Sequence, residues 1–340
     1  MRPTIKQVAE AAGVSIATVS RVLNGKDRVK ESTRIKIQEA IKQLNYQPDL
    51  NARSMIKKAT KTIGLIVPEL MNEYWVQMFE ELQDAFWPKG YMVIVGSTNR
   101  SDDREHAFLN SFIERRVDGL IIGSEIQNDE ELMELIDRYA IPAVTLDHQR
   151  RGFDCMVGDH LQGATEAIQH LIRLGHRDIA FLCAQTVPDA RELGFRNAFM
   201  LNNLQVNEQL IMRVEGPINF QMGYQETKAL LSRKVPFSAI FAYNDMAAFG
   251  AIRALEENGL HVPDDVAVVG YDDVQMASIF KPSLTTVRQP IRDIAQSMAR
   301  MMSDIIEMGE EERKTVPKKV ISFNMELVVR ESCGARKRQN

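Results

Sequence analysis

From Thr62 onward the chain alternates short apolar runs with longer amphipathic stretches, and this alternation restricts the fold more than any other feature. The runs at 63–67, 92–96, 119–122, 143–146, 156–157, 179–183, 239–242 and 266–270 are nearly unbroken in apolar residues. Strands of a parallel sheet read this way, because helices cover both of their faces. Helical spacing fits the stretches between, at 74–89, 103–115, 129–139, 162–174, 190–203, 221–233, 245–258 and 290–308. Strand–helix repetition predicts doubly wound parallel sheets. More than ten such elements exceed one comfortable sheet, so two similar α/β lobes are expected.

The first sixty residues obey a different pattern, with no strand signal and three short helices. Thr4 followed by Gln7 is a capping-box start, and Ile5, Val8, Ala9 and Ala12 form the apolar face behind it. Gly13 supplies the left-handed conformation that ends the helix. Ser15 then caps a second helix through Leu23, which Asn24-Gly25 closes. A third helix is expected over 32–45, burying Ile35, Ile37 or Ala40, Ile41 and Leu44, with Pro48 blocking its continuation. The stretch 50–58 is a further helical candidate. About nine residues are too few for an isolated helix, which needs roughly 12–15, so it is expected to fold only against a partner.

Charge separates the two regions. Residues 1–61 hold 13 Lys and Arg against 5 Asp and Glu, whereas the remainder holds 29 against 41. The net charge of −4 therefore hides a basic segment on an acidic body. A polyanionic partner for the basic part is one reading and a solvated basic arm the other.

Steric spacing favours the polyanion. A helix-turn-helix needs a small residue between its helices, a glycine four positions on and an apolar residue six further, and Ala9, Gly13 and Val19 fill these places. The N-terminal part of the second helix would face the base edges in the major groove. Arg21 can donate bidentately to guanine or bind only phosphate. Ile16 and Ala17 can pack on thymine methyls, Ser20 faces the same groove, and Thr4, Thr18 and the helix starts are candidate phosphate ligands.

Several classes are disfavoured. Three widely spaced cysteines with no CxxC and six histidines with no HxxxH give no disulfide framework or metal site. The chain lacks GxGxxG after a strand and GxxxxGK[ST], so neither nucleotide cradle is present and no cofactor is expected. No apolar run approaches 18 residues and the start has no apolar signal core, which points to a cytoplasmic protein with no membrane partner. A secreted solute-binding protein, the rival to a regulator, also fits poorly with the basic headpiece.

The runs TIKQVAEAAGVSIATVSRVLNG and RVKESTRIKIQEAIKQLNYQPDLNARSM resemble the headpiece of the lactose-repressor/galactose-repressor (LacI/GalR) family. The resemblance continues through TIGLIVP, RRVDGLIIG, HLIRLGHRDIAF, AIFAYNDMAAFGAI, GLHVPDDVAVVGYDD and PSLTTVRQP. It implies a helix-turn-helix DNA-binding domain at 1–49, a hinge helix and linker at 50–61, and a two-lobed effector-binding and dimerisation core at 62–340. It further implies a homodimer on pseudo-palindromic operator DNA, a core shaped like a periplasmic sugar-binding protein, and no enzymatic activity. In this family paired hinge helices insert a leucine into the minor groove. Met55 stands at that place here, either as the wedge or packing hinge on hinge, with Asn51 and Arg53 as minor-groove or phosphate contacts and Asn24 at the end of the reading helix. Lys30 replaces the serine that usually caps the third helix, so capping shifts to Ser32 or weakens.

Ligands of open α/β sheets bind at the carboxyl ends of the strands. The polar and aromatic residues just past the expected strands are Tyr74, Trp75, Asp147, His148, Arg191, Asn244 and Asp272, and the resemblance places them in an effector cleft. Trp75 would stack on a sugar ring or serve as a core aromatic. Asp245 would be a ligand contact or a helix cap. A large aromatic is usual where Ile218 stands, and Phe220 would replace it if that segment were extended. Arg150 and Arg151 would suit an anionic effector such as a sugar acid, or lie in a solvated loop. The expectation is a carbohydrate or sugar-acid effector of unread identity.

Overall fold

The computed structural model describes residues 3–23, 29–46, 59–124, 129–150, 152–184, 189–214 and 216–335. The chain divides into two compact units, Met1–Thr60 and Lys61–Asn340. Asn24, the 50–58 hinge candidate with Asn51, Arg53 and Met55, and Arg151 lie outside the described residues.

The first unit holds α1 (Ile5–Ala12), α2 (Ile16–Leu23) and α3 (Glu31–Leu44). Thr4 and Gln7 make the reciprocal capping box, and Gly13 ends α1 at φ 63°. The Thr18 amide donates to Ser15 Oγ at 3.2 Å, which caps α2. Val8, Ala9, Val19, Ile37 and Ala40 form the small core, so the short side chains at 9 and 12 set how closely the helices approach. One expectation changes here and one is resolved. Ile35 is 48% exposed, and the buried Tyr46 joins the core beyond the C-terminus of α3. The N-cap of α3 is Lys30 with no side-chain cap, so of the two expectations for this end the weaker cap holds and the shift to Ser32 does not.

The second unit contains two α/β lobes. The chain runs through β1 (Thr62–Val67), α4 (Glu73–Phe86), β2 (Met92–Ser97), α5 (Asp102–Glu114), β3 (Gly119–Ile122), α6 (Asp129–Tyr139), β4 (Ala143–Leu146) and β5 (Asp154–Gly158). It then crosses to the second lobe: α7 (His160–Arg173), β6 (Ile179–Ala184), α8 (Ala190–Leu201), β7 (Ile211–Val214), α9 (Phe220–Ser232), β8 (Ala239–Ala242), α10 (Asp245–Glu257), β9 (Ala267–Val269), α11 (Gln275–Ile279) and β10 (Thr286–Arg288). It returns with α12 (Ile291–Glu307), α13 (Glu310–Thr315) and β11 (Val320–Phe323), and crosses once more to β12 (Glu326–Val328). The first sheet has the order β11-β5-β4-β3-β1-β2 and the second β7-β6-β8-β9, all pairs parallel. The antiparallel pair β10–β12 is a separate two-stranded ladder, bridged to the end of the second sheet at Val269–Thr285 and Asp272–Arg288.

Packing explains why the apolar runs are continuous. Ile63 and Leu65 of β1 face Met78, Leu82, Met298 and Met302 of α4 and α12. Ile66 faces the opposite layer, with Leu109, Phe112 and Leu132 of α5 and α6. In the second lobe Phe181 stacks between Phe195 and Phe241, with ring centroids 5.2 and 5.1 Å away. A fully buried phenylalanine of this kind contributes about 2–3 kcal/mol through burial.

The eight expected strands are present, and four more join them. Those four explain their own absence from the sequence pattern. β10 and β12 are three residues long, β11 is a largely exposed edge, and β7 carries the charged Arg213. None is long or apolar enough to stand out.

Candidate functional site

In the first unit, the exposed face of α2 carries the residues expected to read DNA. Ile16 is 46% exposed, Ala17 and Arg21 are exposed, and Thr18 and Ser20 are half-buried. Val19 on the opposite face is fully buried, so α2 is anchored by one side and exposed on the other. Ser15 and Thr18 hydroxyls lie 2.9 Å apart and engage each other at the helix start. Thr4 uses its hydroxyl for the capping box.

In the second unit, a cleft opens at the carboxyl ends of the strands of both lobes. Its empty space, counting the part open to solvent, is about 810 Å³. Tyr74, Trp75, Asp147, His148, Arg191, Asn244 and Asp272 all line it. Phe220 does not. It is the first residue of α9, whose cap is Asn219, so the segment is helical there rather than extended. Ile218, buried at 2% exposure, holds its carbonyl to Asn244 Nδ2 at 2.9 Å instead of forming a stacking wall.

Each wall of the cleft has a local cause. Trp75 sits in the first turn of α4 and packs against Gly123, where an added Cβ would lie 2.6 Å from its ring. Only glycine leaves room for that approach, so Trp75 is at once a wall of the cleft and part of the core around β1. Tyr74 donates its hydroxyl to Asp147 Oδ2 at 2.8 Å. Asp147 has φ 66°, a left-handed turn just past β4 that swings its side chain into the cleft. Burial would raise its pKa, but His160, His148 and the Tyr74 hydroxyl outweigh that and hold it below the usual carboxylate value. Burial and Asp147 together push the Tyr74 phenol well up, so it remains a donor.

On the other lobe, the Arg191 guanidinium lies between the rings of Tyr243 and Tyr271, at 4.2 and 4.3 Å from their centroids. Burial opposes its charge, yet Tyr243 and Asp272 more than compensate and its pKa rises. Asp272 accepts from Gln289 Nε2 at 2.8 Å and faces Arg191 at 3.7 Å. Burial raises its pKa against the pull of Arg191. Asn244, rather than Asp245, caps α10. Asp245 is fully buried beneath the cleft, accepting from Thr286 Oγ1 at 2.5 Å and from the Val274 amide at 2.9 Å.

Three contacts join the lobes across the cleft. Asn72 Nδ2 reaches Asp272 Oδ2 at 3.4 Å, Glu73 Oε1 accepts the Gln275 amide at 3.0 Å, and His160 Nε2 lies 3.8 Å from Asp147 Oδ1. His160, Asn72, Glu69, Arg100, Asp189 and Tyr243 line the cleft as well and were not anticipated. His160 lies two residues past β5 and Tyr243 directly follows β8, so the rule that located the others would have located them. Glu69 and Asn72 lie nearer the end of β1 than Tyr74 does, and Arg100 lies three residues past β2, so the same rule reaches them too. Arg150 is buried at 8% exposure and donates to the Ser124 carbonyl at 3.1 Å, beside the Ser124–Glu105 hydrogen bond. It is neither solvated nor in the cleft, which removes its support for an anionic effector.

Among the described residues no helix is long and apolar enough to cross a membrane, and no group of His, Cys, Asp or Glu is arranged to hold a metal.

A helical reading unit joined to a two-lobed, cleft-bearing core defines a ligand-responsive DNA-binding regulator, and known proteins agree. Residues 4–49 match the model of bacterial regulatory proteins of the lacI family, and residues 168–333 match the periplasmic binding protein-like domain. The HTH-type transcriptional repressor PurR of Erwinia tasmaniensis is 35% identical over 319 residues, covering 92% of this chain and 93% of that protein. A lac repressor dimer bound to operator and the anti-inducer ONPF superposes with a TM-score of 0.86 at 28% identity, covering 98% of this chain and 99% of that one. The regulator CelR in complex with cellobiose gives a TM-score of 0.71 at 29% identity, over 97% of this chain and 100% of that one. The chain belongs to the lacI family: it is a DNA-binding transcription regulator, not an enzyme.

Proposed function

We propose that the chain is a cytoplasmic repressor that binds a pseudo-palindromic operator as a homodimer, under control of a carbohydrate effector held between the lobes. The observation that carries the effector reading is a set of buried polar atoms without hydrogen-bond partners, Asp147 Oδ1, Asp189 Oδ2 and Arg191 Nε, all on residues lining one cleft. Buried groups of this kind are costly unless something satisfies them. The lac repressor structure with operator and ONPF and the CelR–cellobiose complex support the same reading.

On DNA, Arg21 reads a guanine, Ile16 and Ala17 pack on thymine methyls, and Thr4, Ser15, Thr18, Ser20 and Asn24 hold the backbone or adjacent bases. Asn51, Arg53 and Met55 act in the minor groove, with Met55 as the apolar wedge. Effector binding changes the angle between the lobes and so moves Thr62, where β1 begins and the hinge attaches. Hinge helices driven apart release the operator, and helices drawn together tighten on it.

The test is an operator titration with and without candidate sugars, on the full chain and on Met55→Gly. Loss of operator affinity in the variant supports the wedge, and unchanged affinity removes the hinge from the account. Deleting residues 1–60 is expected to abolish DNA binding and preserve ligand binding. DNA binding by the truncated protein would overturn the assignment of roles.

A further inference from the structure

The meeting of His160 and Asp147 has a polarity that selects what lies between them. His160 opens α7 on the second lobe, Asp147 follows β4 on the first, and their side chains are 12% and 11% exposed. His160 Nδ1 lies 3.0 Å from the Tyr271 hydroxyl. Tyr271 is fully buried, and burial raises its phenol pKa against the pull of Arg191, so the phenol keeps its proton. Where the Tyr271 O–H donates to Nδ1, the imidazole proton sits on Nε2, the ring nitrogen nearest Asp147 Oδ1. The 3.8 Å between those atoms is too long for a hydrogen bond. An oxygen placed about 2.8 Å from each would bridge them. Asp147 Oδ2 is already taken by Tyr74, and Oδ1 has no hydrogen-bond partner.

The bridging group must accept from Nε2–H and donate to a carboxylate oxygen. A hydroxyl does both. A carboxylate or phosphate has no proton for Asp147, and an ammonium has no lone pair for His160. The remaining charges of the cleft act in the same direction against anions. Glu69 pairs with Arg100 at 3.5 Å and Asp272 faces Arg191 at 3.7 Å, while Asp147 has only the His160 imidazole at 3.8 Å and Asp189 lines the cavity with its Oδ2 unpartnered.

We propose that His160 and Asp147 bracket one hydroxyl of the effector across the junction of the lobes, so that the cleft takes an uncharged polyol and rejects its acid, phosphate and amine counterparts. The proposal rests on reading this cleft as the effector site. It makes His160 a specificity-determining contact, and it gives the ligand a direct hold on the lobe angle, since one hydroxyl ties α7 of one lobe to the end of β4 of the other.

Isothermal titration of the full chain tests it with matched probes: ribose, glucose, galactose and cellobiose, then gluconate, glucuronate, glucose 6-phosphate and glucosamine. The expected result is binding by a neutral sugar, with affinity about tenfold lower in His160→Ala, as suits loss of one hydrogen bond in a buried site. His160→Gln, which keeps an N–H donor, is expected to recover part of the loss, whereas a merely structural role would leave both variants equally affected. Ligand-free melting curves report whether each variant folds, and Asp147→Asn supplies the second side of the bracket if His160→Ala does not. Tightest binding by an acid, a phosphate or glucosamine would overturn the charge selection. A neutral sugar bound equally well by His160→Ala and wild type would overturn the bracket. Binding by none of the eight probes would overturn the carbohydrate reading itself.

Discussion

Replacing Tyr74 by Phe removes one atom and exposes how the cleft carries its buried charge. The Tyr74 hydroxyl supplies the 2.8 Å hydrogen bond to Asp147 Oδ2, and Asp147 Oδ1 has none. The variant leaves both oxygens of a carboxylate that is only 11% exposed without a protein donor within hydrogen-bond distance. A hydrogen bond to a charged group contributes about 1.5–3 kcal/mol, so a loss of that order is expected at pH 7. For a large domain this corresponds to a fall in Tm of roughly 2–4 °C per kcal/mol. The pH dependence follows from the direction of the shift. Asp147 is held below its ordinary value in the folded protein, so its stabilisation is present above the unfolded pKa, about 3.9, and disappears as pH falls through the folded one. Without the Tyr74 donor the folded pKa moves up, and the gap between variant and wild type narrows as pH drops below about 4. Thermal melts of both proteins at a series of pH values between 7 and 3.5 measure it. A gap that stays constant across the series, or one below about 0.5 kcal/mol at pH 7, would refute the reasoning.

Other expectations concern the reading unit. Arg21→Ala should abolish preference among operator sequences while leaving salt-sensitive binding, as seen by fluorescence anisotropy at two salt concentrations; equal loss on every sequence would mark a phosphate contact instead. Lys30→Ser should restore the missing cap of α3 and stabilise the headpiece by about 0.5–1 kcal/mol, read as slower amide exchange in 31–44. No change in exchange would show that the cap position is satisfied by other means.

Much of this was legible because buried parallel strands leave unmistakable apolar runs, and because helix-turn-helix packing demands small residues at set spacings. Ala9, Gly13 and Val19 located the reading unit, and the ends of the strands located seven residues of the cleft. What escaped has a common physical origin. Whether a short segment is helical or extended depends on a cap, and Asn219 turns Phe220 away from the expected wall by starting α9 there. Ile35 fits the apolar spacing of α3 yet faces outward, because periodicity gives a stripe but not its edges. Arg150 looked free beside Asp147, but a carbonyl and the Glu105 carboxyl in the layer behind draw it inward. Long-range pairing decides each of these, and a local pattern does not encode it.

The claim that matters most is sequence-specific DNA binding by a two-fold dimer, and selection of bound duplexes from a random pool measures it directly. The account predicts enrichment of a pseudo-palindrome with two half-sites related by two-fold symmetry, and loss of that enrichment on deleting residues 1–60. Recovery of unselected sequence by the full chain, or of a single asymmetric half-site, would contradict it.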